Sequence, residues 1–185
     1  MPVPCGLRTT CGRQGIEGND FVAALTSLGL LDSFNDVIPG AAQHYENYLR
    51  AISKAVQEQG LPVTMNIEAV SASSSLFRST SRSCLAVTPA DKRMQPFKTL
   101  HYGTPLGTNL SVGWFLLGGE KLNDTTSVRG MLGVGGLSHL DMTDLQSLVQ
   151  CVHQFAVMPA VYSIADQAGY DRNQLSKKTS GFFGA

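Results

Sequence analysis

The sequence predicts an α+β fold: N-terminal helices, a four-stranded antiparallel meander, and a long C-terminal helix packed on the sheet. Three observations predict it. Apolar residues recur at helical spacing between Ala41 and Gln59, alternate with period two between Val63 and Leu116, and return to helical spacing after Asp141. The strands follow one another with short turns, so antiparallel neighbours are expected. The helices stand outside the run of strands, as α+β folds arrange them.

Residues 1–18 read as a flexible arm and 19–175 as a single α+β domain, with 176–185 left as a tail. Asn19 or Asp20 caps a first short helix whose Phe21, Leu25 and Leu28 share a face and which Gly29 ends. Leu30 to Val37 is a second short apolar piece, stopped by Pro39-Gly40. From Ala41 to Gln59 the stripe Tyr45, Tyr48, Leu49, Ile52 and Val56 marks a helix, supported by Glu46 and Arg50 four residues apart. Val63, Met65, Ile67 and Ala69 then alternate with Thr64, Asn66 and Glu68 in a half-buried strand. Ser83–Thr88, Phe97–Tyr102 and Leu110–Leu116 supply the other three strands. The long helix opens at Asp141 and turns Leu145, Leu148, Val149, Val152 and Ala156 inward. Gln146, Gln150, His153 and Gln154 form its polar stripe, Pro159 kinks it, and Gly169 stops it.

Charge is scarce and balanced. Of 185 residues 15% are charged, against about 25% in ordinary soluble domains, and 14 cations offset 14 anions. The 43% hydrophobic content excludes charge-driven disorder. Zero net charge removes long-range repulsion between copies and favours association. Along the chain the balance is uneven. Residues 1–70 carry net −3, 71–121 net +4, 122–171 net −4 and 172–185 net +3. The cations Arg78, Arg82, Lys92, Arg93 and Lys98 therefore decorate the meander, where they could meet an anionic membrane surface or an acidic helix of a neighbouring subunit. They are too few for strong nucleic-acid binding. A solvated sheet face is the plainer reading.

No secretory signal opens the chain and no stretch of about 18 apolar residues occurs, which predicts a cytoplasmic protein without a spanning helix. In that compartment the four cysteines should be thiols. A hairpin folded symmetrically about Lys92 and Arg93 sets Cys84 opposite His101, where a thiol beside an imidazole could serve as nucleophile and base. A small buried hydrophobe beside a satisfied histidine is the plainer reading of the pair. His44, His139 and His153 lack metal-ligand spacing, and Gly130, Gly133, Gly135 and Gly136 do not complete a phosphate-binding loop, so neither metal nor cofactor is expected.

The runs Cys84-Leu-Ala-Val, Tyr102-Gly103, Asn109-Leu-Ser-Val-Gly-Trp-Phe and Leu145-Gln-Ser-Leu-Val-Gln-Cys-Val-His resemble a family of uncharacterised bacterial proteins. Those relatives pair a small meander with a C-terminal helix, many with a membrane segment between the two. Here that interval departs from the pattern, since Glu120, Lys121, Asp124 and Arg129 interrupt it. The resemblance implies a bacterial accessory protein at a membrane surface or within an assembly, and brings no assigned activity. Three functions follow, in order: a non-enzymatic module that self-associates or docks on a partner protein or membrane surface; a thiol-dependent enzyme using Cys84 and His101; and a membrane-active oligomer inserting segment 118–137.

Overall fold

A computed structural model describes residues 29–74, 78–118, 138–175 and 180–181. The arm at 1–18, the helix expected over 19–28 and the segment 119–137 lie outside the described residues. The fold is α+β, with one antiparallel sheet and a long C-terminal helix. Its strands are β1 (Leu30–Ile38), β2 (Val63–Ser74), β3 (Arg78–Pro89), β4 (Lys98–Leu106), β5 (Asn109–Leu117) and the two-residue β6 (Ser180–Gly181). Their spatial order is β2-β3-β4-β5-β1-β6. The serial meander β2 to β5 is as the period-two pattern predicts.

The expected count of four strands needs correction, because Leu30–Ile38, read from the sequence only as a short apolar piece, is a strand of the sheet. β1 pairs antiparallel with β5, Phe34 opposite Trp114 and Ile38 opposite Leu110. Its buried positions Asp32, Phe34 and Ile38 do follow period two. Aspartates at 32 and 36 stand where apolar residues would have advertised that period. Within the expected tail, Ser180–Gly181 pairs with Asp32 and Ser33 of β1.

Helix α1 (Tyr45–Glu58) follows a short 3-10 turn at Ala42–His44. Tyr48, Ile52 and Val56, four residues apart, are its buried row, while Tyr45 is left exposed. Gly103 on β4 keeps this packing close: a Cβ there would stand 3.2 Å from the Tyr48 ring.

The C-terminal helix begins earlier than Asp141. Ser138 caps α2 (His139–Val152) and Asp141 returns the bond to the Ser138 backbone, a reciprocal capping box. A single π turn (His153–Val157) then leads into α3 (Met158–Gln167). Pro159 lacks the N–H that would bond back one turn, and the helix widens just before it. Gly169, at φ +69°, ends α3, with the Tyr170 N–H bonded to the Ala165 carbonyl at 2.8 Å. Leu140–Gln167 is long and apolar enough to cross a membrane by length and composition, contrary to the sequence reading, yet 56% of its most apolar window is buried inside the molecule. Packing accounts for that apolar face. α1, α2 and α3 cover one side of the sheet, around Phe34, Val87, Val112, Trp114 and Leu116. Cys84, Ala86, Leu100, Tyr102, Phe115 and Leu117 form a second buried cluster on the opposite side.

Candidate functional site

Cys84 and His101 are separated by one step of register. The β3–β4 ladder pairs Leu85 with His101, Ala86 with Leu100 and Val87 with Thr99. Side chains alternate faces, so Cys84 points away from His101 through the sheet, which corrects the expected pair. The connection is not symmetric about Lys92 and Arg93. Two successive turns, closed by Met94 N–H to Asp91 (3.0 Å) and Phe97 N–H to Met94 (2.9 Å), shift the pairing by one residue.

Neither side chain is poised for acid–base work. Burial pushes the Cys84 thiol up to about 11. His101 is also buried, and burial, followed by the neighbouring His153, pushes it down to about 3. The neutral imidazole shares a 2.9 Å hydrogen bond between Nε2 and Thr99 Oγ1, while Nδ1 has no hydrogen-bond partner among the described residues. His153 leaves the expected polar stripe altogether. It is buried, receives the Trp114 Nε1 hydrogen at 3.1 Å on Nδ1, and meets the Phe34 ring edge-on at 4.9 Å. Gln150 and Gln154 remain exposed, and Gln146 is half-buried.

Two of the five sheet cations, Lys98 and Arg93, are committed to carboxylates. Lys98 Nζ bonds Glu68 at 2.6 Å, and Arg93 bonds Asp91 at 2.7 Å and Asp141 at 2.6 Å. The lysine, foremost, holds the Glu68 carboxyl below the usual carboxylate range. Arg82 reaches Thr104 at 3.3 Å, Lys92 is exposed in the turn, and Arg78 sits opposite Ser74 at the far end of the hairpin. Arg172 pairs with Asp166. Each of Lys98, Arg93 and Arg172 thus joins a basic block of the sequence to an acidic one. At these three positions the segmental complementarity is used within the subunit.

What local pattern did not disclose is the outer edge of β2. β2 and β3 pair without interruption from Val63–Pro89 to Ser74–Arg78, whereas β3 pairs with β4 only from Leu85 to Val87. β2 is the end strand, and among the described residues nothing pairs with its outer side. Alternation placed Ile67 on the inward face with Val63 and Met65. Those two are half-buried, but Ile67 lies beyond the helices and is 63% exposed. The signal was available in chain order, since the first strand of a meander stays at an edge unless another strand covers it.

An apolar crevice under α2, lined by Val63, Val87, Phe97, Leu116, Leu145 and Val149, offers no cluster of polar groups to orient a ligand. No three His, Cys, Asp or Glu side chains converge among the described residues. Comparison with protein-family models, curated proteins and solved structures finds no match to this chain.

Proposed function

We infer that this chain is a non-enzymatic assembly module, acting by association with itself and, secondarily, by docking on a partner protein. The observation that carries this reading is the β2 edge. Twelve residues run from Val63 to Ser74 with no proline, one charged side chain (Glu68) and an exposed Ile67. An edge strand presents a row of backbone donors and acceptors ready to pair with another strand. Soluble proteins usually blunt such edges with charge, proline or a bulge, and β2 carries little of that protection. Zero net charge lets two copies approach without long-range repulsion.

Docking on an anionic membrane is less well supported, because Arg93 and Lys98 already face carboxylates. The thiol-enzyme reading loses its geometric basis with Cys84 and His101 on opposite faces. Light scattering over a wide concentration range tests the inference: mass should rise above that of the monomer as concentration increases. A strict monomer throughout would remove self-association, and co-sedimentation with anionic vesicles but not neutral ones would favour the membrane instead.

A further inference from the structure

The geometry points to a specific mode of assembly: a second copy of this chain adds its β2 antiparallel to β2, across a two-fold axis that passes beside Ile67. This rests on the self-association reading above and names its surface and register. An isologous contact requires a patch that complements itself. β2 does so in one register better than in its neighbours. Centred on Glu68, the pairing opposes Glu68 to Glu68 of the partner subunit, and like charges directly opposite are destabilising. Centred on Ile67, it lays the exposed isoleucine against Ile67 of the partner subunit. It also sets Asn66 opposite Glu68 of the partner subunit, twice by symmetry.

The chemistry for that cross-pair already exists within the chain, where Asn66 Nδ2 donates to Glu68 Oε1 at 3.2 Å. A register centred on Asn66 also avoids a carboxylate clash and sets Ile67 opposite Met65 of the partner subunit, but Met65 is already half-buried, and the axis then opposes two identical amides. The opposite sheet edge cannot substitute freely, because β6 already occupies Asp32 and Ser33 there.

Ile67→Lys and Asn66→Lys, both at accessible positions, test the register by sedimentation equilibrium, with near-ultraviolet circular dichroism confirming the fold. Ile67→Lys places two cations at the axis and should weaken the dimer by about a hundredfold, since the change enters twice. Asn66→Lys should tighten it by about threefold to tenfold, because each new cation faces Glu68 across the axis. If the unmodified chain dimerises and Ile67→Lys leaves the affinity unchanged, the β2 seat is overturned while self-association stands. If Asn66→Lys weakens dimerisation, the Ile67-centred register is wrong. If the unmodified chain never exceeds monomer mass, both the seat and the reading beneath it fall.

Discussion

At one edge of the sheet β1 carries Asp32 and Asp36, breaks register with β5 between Leu30 and Asp32, and has β6 beside it. At the other edge β2 runs twelve residues in unbroken register with β3, with a single carboxylate and an exposed isoleucine. Charge, irregularity and partial cover are the means by which edge strands resist pairing with other chains. One edge therefore has all three, and among the described residues the other has only Glu68. The difference extends inward. β1 lies against β5, eight of whose nine residues are buried, whereas β2 beyond Met65 lies outside the helix-covered core. The more deeply buried strands thus lie at one side of the sheet, and the edge left unpaired among the described residues lies at the other.

The strongest way to break this contrast is at Trp114, which sits on β5 directly across from Phe34. Trp114→Ala should cost about 3–5 kcal/mol by lost burial and the cavity left behind. It also takes away the donor that His153 Nδ1 receives. Urea denaturation measures the loss, and a change below about 1 kcal/mol would contradict a core rooted under β5.

Acid should act on the same side. Burial holds His101 at about 3 and also lowers His153, so both favour the neutral ring in the folded state. The unfolded chain titrates near 6.5 and binds more protons below that value. The histidine contribution is thus complete above about pH 6.5 and is lost as pH falls toward 3. His101 alone gives a slope of about 1.4 kcal/mol per pH unit, or about 2 kcal/mol by pH 5. Urea midpoints across this window test it. His101→Phe should flatten the dependence, and an unchanged slope in that variant would assign the acid sensitivity elsewhere.

Much of this architecture is legible in the sequence because it is local. Tyr48, Ile52 and Val56 announce α1, and alternation announces the meander. Two kinds of information are not local. β1 is hidden because Asp32 and Asp36 interrupt its inward row. The facing of Cys84 and His101 depends on how two consecutive turns between Asp91 and Phe97 divide their residues, and an error of one residue reverses every side chain. The exposure of Ile67 is likewise a property of strand order and helix length. Period two assigns it a face without saying whether anything lies over that face.

A smaller effect belongs to the start of the long helix, where Ser138 and Asp141 satisfy each other's backbone N–H groups. Ser138→Ala should cost about 1 kcal/mol, the usual worth of an N-cap hydroxyl. The thermal midpoint measures it. No loss would mean that packing of Leu145 and Val149 fixes the helix start without help from its cap.

The smallest stability effect is expected at the β2 edge. In dilute solution, where monomer prevails, Ile67→Ser should change unfolding free energy by less than about 0.5 kcal/mol, the range of ordinary surface substitutions. The isoleucine already leaves 63% of its area in water, so folding removes little of its apolar surface. Its place opposite Leu85 in the β2–β3 ladder is one that serine can also take. Chemical denaturation at low and high protein concentration separates two contributions. At low concentration the variant should match the unmodified chain. At high concentration the unmodified chain should gain stability by mass action while Ile67→Ser gains less. A loss of 2 kcal/mol or more in the dilute monomer would place Ile67 inside the structural core, and the contrast between the two edges would fail.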